Sequence, residues 1–139
     1  MSEGAEYEGM LFAASKDIDI VRHLAAGGVE TFAEGIAFHA QQAAEKMVKY
    51  ALDSSGVSYR RIHDIDELLQ KGELVGVFLV GEDVLRAASR LSLYAVAARY
   101  TTCPEITGAD ALQAVRDCDK IACSLKEQGF DAIEIGVEL

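Results

Sequence analysis

The stretch from Phe38 to Leu52, with the sequence FHAQQAAEKMVKYAL, constrains the fold of this chain more than any other. It belongs to a helical pattern from about Glu30 to Leu52, in which small apolar residues recur at spacings of four and three. The residues that share this spacing are Ala33, Ala37, Ala40, Ala44, Met47 and Ala51. Because alanines let a neighbouring backbone come close, the pattern predicts the central helix of a bundle.

Length and composition favour one domain over residues 1–139, with a core at about 15–128 and a tail at 129–139. One proline, no tryptophan and long 3.6-residue patterns indicate a mostly helical chain. We find no run of about 18 apolar residues and no signal peptide at the N-terminus, so we expect a cytoplasmic protein without a membrane span. The net charge of −10 repels phosphate backbones, so no DNA partner is expected and RNA would need a local basic patch.

Two further helices are predicted before residue 75. Ser15 is placed to cap a first helix that ends near Ala26 at two glycines, which leaves residues 1–14 as a loosely held lead-in. A short helix begins at His63-Asp64 and runs to about residue 70, where Gly72 ends it. Asp64 and the glutamate three residues later have the spacing of a capping box.

Two more helices are predicted in the second half of the chain. One begins at Glu82 or Asp83 and ends near Arg99, and the other runs from about Gly108 to residue 128. Thr107 and the aspartate three residues later form a capping signal for the last helix.

The segment 74–80, LVGVFLV, is interpreted as a buried connection with a turn of helix possible. In the tail, apolar residues at 133, 135, 137 and 139 alternate with polar residues or glycine, which is the period of a half-buried strand. Such a strand could pair with segment 74–80 or with a second subunit, or the tail could be disordered. The predicted fold is therefore all-α, an up-and-down bundle of about four to five helices with a possible short C-terminal strand.

Three phrases in order resemble the HEPN domain family, a name that abbreviates higher eukaryotes and prokaryotes nucleotide-binding. They are FHAQQAAEKMVKYAL, HDIDELL and a helix that closes on ARY before a nearby proline. The likeness covers roughly residues 15–127. It implies a helical bundle, usually a homodimer, that binds a nucleotide or RNA and often accompanies a nucleotidyltransferase in toxin–antitoxin pairs.

Some branches of this family are ribonucleases that carry an arginine, four to six residues, and then a histidine. Arg99 is followed by Tyr-Thr-Thr-Cys-Pro-Glu without a histidine, so the chain resembles a branch that lacks the ribonuclease signature. The resemblance therefore implies a binding component, with no cofactor. Whether the chain is an enzyme stays open, with a metal-independent ribonuclease and a non-catalytic interaction module as the alternatives.

Two dipeptides at helix ends are candidate ligand-binding residues. His63-Asp64 lies at a predicted helix start, where free N–H groups favour phosphate, although a capped helix start explains the same pair. Arg99-Tyr100 offers a guanidinium fork for phosphate and a ring for stacking, although an arginine is favoured at any helix C-terminus.

The third candidate is the polar side of the central helix, with Gln41, Glu45 and Lys46. A solvated helix face is the alternative explanation, and a third is that these groups fix the register of the helices. Glu45 is placed to accept from His63 or Arg99. A ribonuclease, if present, would use Glu45 with both dipeptides.

Other residue sets have mostly structural explanations. Four arginines could form a basic patch, but surface ion pairs explain them equally well: Arg60, Arg61, Arg86 and Arg90. A metal-dependent phosphohydrolase built on His63-Asp64 would draw further ligands from His23 and His39, but no downstream aspartate sits in a convincing motif, so we predict no metal site. The three cysteines lack CxxC spacing, which is typical of reduced thiols.

Overall fold

The computed structural model describes the backbone of residues 2–59, 64–97 and 105–133, and the side chains of residues 9–59, 64–95 and 105–133. These ranges contain five helices and no strand, which confirms the predicted all-α bundle. The helices are α1 (Ser2–Gly27), α2 (Ala33–Ser54), α3 (Ile65–Leu74), α4 (Glu82–Ala97) and α5 (Gly108–Glu127).

Helix α2 is the central helix, as the alanine seam predicts. It contacts each of the other four helices. The six seam residues are at most 2% exposed, and no residue from 35 to 53 is fully exposed. Because alanine has no side chain beyond Cβ, neighbouring helices can approach α2 closely along this seam.

Helix α1 is longer than predicted. It begins at Ser2, so the interpretation of residues 1–14 as a lead-in is wrong. Ser15 lies inside the helix, where its hydroxyl donates to the Phe12 carbonyl at 2.7 Å and caps nothing. The predicted end is confirmed, because α1 stops at Gly27 and Gly28 takes a φ of +128°.

Helix α3 differs from its prediction at both ends. Asp64 occupies the N-cap position, but its side chain makes no capping hydrogen bond, so the capping box is wrong. Gly72 does not end the helix, which continues to Leu74. A Cβ on Gly72 would lie 2.2 Å from the Phe78 ring, so this glycine makes room for the chain that folds back after α3.

Helices α4 and α5 follow their predicted boundaries closely. Helix α4 begins at Glu82. The Thr107 hydroxyl accepts from the Asp110 N–H, and the Asp110 carboxylate accepts from the Thr107 N–H, which completes the predicted capping box of α5. Gly129 follows α5 with a φ of +105°, as expected for a glycine that ends a helix.

The last described residue, Ile133, is fully buried in the core. The predicted strand falls mainly on residues 134–139, which lie outside the described residues. Segment 74–80 is only partly buried, since Phe78 and Val80 enter the core whereas Leu74 and Leu79 are 83% and 77% exposed. Within the described ranges, no helix combines the length and the apolar character needed to cross a membrane.

Candidate functional site

An open groove of about 440 Å³ lies between α3 and α4. Its lining carries two arginines, two carboxylates, an amide, a hydroxyl and one aliphatic side chain. They are Asp66 and Gln70 on α3, with Glu82, Leu85, Arg86, Ser89 and Arg90 on α4. Charged and hydrogen-bonding groups therefore outnumber apolar ones, as expected for a site that binds a polar ligand.

Arg90 is held in a fixed position on this groove. Its Nε and Nη2 donate to the two carboxylate oxygens of Asp117 on α5, at 3.0 and 2.8 Å. Asp117 is 2% exposed and also accepts from Gln113 Nε2 at 2.9 Å. These hydrogen bonds raise the pKa of Arg90, so the guanidinium is always charged. Because the Arg90 side chain is still 45% exposed, it can bind a further ligand.

Arg86 lies one helical turn before Arg90 and is held only loosely. Its Nη2 donates to Glu82 at 3.1 Å, in an exposed pair of the kind that contributes little to stability. This is the surface ion pair that the sequence predicts for Arg86. Ser89 lies between the two arginines on the exposed side of α4, and Gln70 faces them from α3. The four side chains offer hydrogen-bond donors to an anion.

The start of α3 is attached to α4 through one hydroxyl. Ser92 Oγ accepts from the Ile65 N–H at 2.9 Å and lies 2.9 Å from the Ala88 carbonyl. It is also 3.3 Å from Asp66 Oδ1. This buried hydroxyl replaces the predicted Asp64 cap, since it satisfies a free N–H of the first turn.

Three predicted site residues, His63, Arg99 and Tyr100, lie outside the described residues, so their roles stay predictions. Asp64 is described and exposed. In the chain, His63 directly precedes the start of α3, and Arg99 follows the end of α4 by two residues. The Ile65–Ser92 contact brings the beginning of α3 against the second half of α4.

The polar side of α2 contains two of the predicted residues, Gln41 and Glu45, in one hydrogen-bonded chain. Gln41 Nε2 and Lys49 Nζ each donate to the Glu45 carboxylate at 3.0 Å. Gln42 donates to Gln41 at 2.7 Å. Gln41 and Glu45 are 0% and 6% exposed, so they are not the solvated face of a helix. The partners predicted for Glu45, His63 and Arg99, lie outside the described ranges.

Lys46, the remaining predicted residue, belongs to a separate cluster. Its Nζ donates to Asp17 Oδ2 on α1, and His39 Nδ1 lies 2.8 Å from Asp17 Oδ1. Asp17 is 5% exposed, so its charge is balanced across the interface of the two helices. This arrangement supports the reading that polar groups fix the register of the helices.

The histidines do not converge in the described part of the chain. His23 is exposed on α1, whereas His39 is bound to Asp17 on the opposite side of the α1–α2 contact. Among the described residues, no three side chains of the types that ligate metals are grouped. Cys118 is buried, Cys123 is half-buried, and both are free thiols.

Sequence reasoning missed Asp117 and Gln113, the two residues that position Arg90. Asp117 is 27 residues from Arg90 in the chain, and its charge suggests a surface position on α5. A small signal was present, because Asp117 lies within the apolar stripe of α5, next to Cys118 and four residues before Ile121. A carboxylate on the buried face of a helix requires a partner.

Comparison with known proteins follows the helical architecture. A family model for the HEPN domain matches residues 7–128. A crystal structure of an archaeal HEPN homologue is similar, with 27% sequence identity and a TM-score of 0.69 over 88% of this chain and 96% of that chain. No curated protein matches the chain in sequence.

Proposed function

This chain belongs to the HEPN domain family, and we propose that it binds the phosphate of a nucleotide or of RNA in the groove between α3 and α4, and acts together with a protein partner. The observation that carries this proposal is the position of Arg90. A guanidinium that is fixed on a buried carboxylate and still half-exposed is prepared for an anion before the anion arrives.

The other donors in the groove fit the same ligand. Arg86 and Ser89 lie within one turn of Arg90 on α4, so the three can contact neighbouring oxygens of one phosphate. Arg86 can leave Glu82 at low cost, because that pair is exposed to water on both sides. A phosphate would then compete with a single surface carboxylate and not with a buried one.

The charge of the chain sets the strength of this binding. With a net charge of −10, the long-range field opposes an anion, and only the local field of Arg86 and Arg90 favours it. We therefore expect weak binding that decreases with added salt. Two carboxylates also line the groove, which excludes a densely charged polyphosphate as the best ligand.

A thermal unfolding titration tests the proposal. We expect AMP, or a short single-stranded RNA, to raise the melting temperature of the protein at low salt, because a ligand that binds only the folded state stabilises it. Arg86→Ala should abolish the increase. Arg22→Ala is the matched control, since Arg22 also pairs with a carboxylate one turn away on an exposed helix face, on α1. A wild-type protein without any increase would contradict the proposal.

Arg99→Ala extends the same titration to a residue outside the described ranges. If the guanidinium of Arg99 also holds the phosphate, its removal should eliminate the increase in melting temperature. If only Arg86→Ala does so, the ligand is confined to the groove.

The proposed partners are a second copy of the chain and a nucleotidyltransferase, in the arrangement of a toxin–antitoxin pair in the cytoplasm. This part of the proposal is supported by membership of the family alone. Light scattering of the purified chain measures the homodimer. Co-expression with a nucleotidyltransferase encoded beside it, followed by size-exclusion chromatography, measures the second complex.

A further inference from the structure

The groove contains a carboxylate that an anion-binding site does not need. Asp66 is the second residue of α3, is half-buried, and lines the groove together with Arg86 and Arg90. A carboxylate here weakens the binding of a bare phosphate by repulsion. It improves the binding of a ligand that carries hydroxyl groups as well as a phosphate.

The hydrogen bonds around Ser92 leave the Asp66 carboxylate able to accept more. The Ser92 hydroxyl has one proton to donate and two acceptors in reach, the Ala88 carbonyl at 2.9 Å and Asp66 Oδ1 at 3.3 Å. The shorter contact takes the proton. Among the described residues, no other side chain or N–H donates to Asp66, so most of its lone pairs are available to a ligand.

The rest of the groove supplies what a nucleoside phosphate requires. Arg86, Ser89 and Arg90 provide donors at one helix face, Asp66 provides an acceptor on the facing helix, and Leu85 provides an aliphatic surface. The volume of about 440 Å³ is within the range of small-ligand sites. Phosphate and sugar are adjacent in a nucleotide, as the donors and the acceptor are in the groove.

We infer that Asp66 accepts hydrogen bonds from the ribose 2′ and 3′ hydroxyls of a ribonucleotide whose phosphate lies against Arg86 and Arg90. This inference depends on the proposed function and adds a substrate class to it: the groove selects ribonucleotides over 2′-deoxyribonucleotides. A charge-assisted hydrogen bond to a carboxylate is among the stronger kinds in proteins. The loss of one hydroxyl should therefore reduce the affinity about tenfold.

An NMR titration of the full chain with AMP, 2′-deoxy-AMP, inorganic phosphate and spermidine tests the inference. We expect AMP to bind about ten times more tightly than 2′-deoxy-AMP. Asp66→Asn should remove this difference. Glu67→Gln is the matched control, because it removes the same charge from the next residue of α3, which does not line the groove.

The outcomes separate the two proposals. If AMP and 2′-deoxy-AMP bind equally well, or if inorganic phosphate binds as tightly as AMP, the ribose contact is wrong while the phosphate site stands. If spermidine binds and no nucleotide does, the carboxylates define a cation site and both proposals are wrong. The wild-type comparison does not depend on any variant, so an unfolded Asp66→Asn protein would leave the test intact.

Discussion

The guanidinium of Arg90 and the carboxylate of Asp117 form two parallel hydrogen bonds, of 3.0 and 2.8 Å, that join α4 to α5. The two residues play unequal parts, because Asp117 is buried and Arg90 is 45% exposed. Asp117 depends on Arg90 and Gln113 for its hydrogen bonds, whereas Arg90 retains donors for a ligand. The same pair therefore stabilises the bundle and positions the binding group.

Removal of either partner should destabilise the protein. In Arg90→Ala the Asp117 carboxylate stays buried with only Gln113 as a partner, and we expect a loss of about 2–3 kcal/mol in the free energy of unfolding. Urea denaturation measures this change. Glu82→Gln is the control, because the exposed Glu82–Arg86 pair should contribute less than about 0.5 kcal/mol. Equal effects of the two variants would contradict the account.

Two helical glycines should respond to alanine in opposite directions. A Cβ on Gly72 would lie 2.2 and 2.3 Å from atoms of the buried Phe78 ring, so Gly72→Ala should cost about 1–3 kcal/mol in the free energy of unfolding. Gly9 lies in α1 with nothing within 4 Å of its Cβ position. Gly9→Ala should therefore gain up to about 1 kcal/mol through helix propensity. Thermal unfolding of both variants measures the signs, and a stabilised Gly72→Ala protein would show that Phe78 is packed elsewhere.

The cap of α5 should be sensitive to its hydroxyl. In Thr107→Ala, the N–H of Asp110 loses its acceptor within the capping box, and the free energy of unfolding should fall by about 1 kcal/mol. Thr107→Ser keeps the hydroxyl and should stay within a few tenths of a kcal/mol of the wild type. Denaturation of both proteins in urea makes this comparison, and a serine variant as unstable as the alanine variant would rule out the capping explanation.

The buried thiol of Cys118 should make stability depend on alkaline pH. Burial, with a smaller contribution from Asp119, raises the pKa of Cys118 to about 12. The unfolded chain releases this proton near its ordinary pKa of about 9, while the folded protein keeps it. The resulting stabilisation is complete below pH 9 and is lost as the pH rises, by about 1.4 kcal/mol between pH 8 and 10.

Denaturant unfolding of the wild type and of Cys118→Ala at pH 8 and 10 isolates this thiol from the other titrating groups. The difference between the two proteins should decrease at the higher pH by the stated amount. A difference that is independent of pH would mean that the thiol ionises in the folded protein.

Local sequence patterns predicted the helices well and the polar contacts poorly. The alanine seam of α2 and the capping box of Thr107 are encoded within a few residues, so they could be read from the chain. The Gly72–Phe78 contact depends on how the chain folds back after α3, and a glycine in a short helix predicts a helix end equally well. Tertiary packing decided between these two readings.

The candidate site shows the same division. Lys46 and Glu45 were selected because they are polar residues on a helix with a recognisable motif, and the structure uses both in buried pairs. The pairing of Arg90 with Asp117 joins residues on different helices, and neither local spacing nor composition contains that information. Asp66 was not selected either, since an acidic residue in the first turn of a helix is explained by the helix dipole alone.

The most direct test of the central claim is a ¹H–¹⁵N NMR titration of the full chain with AMP at low salt. We predict that the amide signals of Gln70, Ser89 and Arg90 shift together and saturate, and that added salt reverses the shifts. Signals that remain unchanged at millimolar AMP, or shifts confined to the Asp17, His39 and Lys46 cluster, would contradict binding in the groove between α3 and α4.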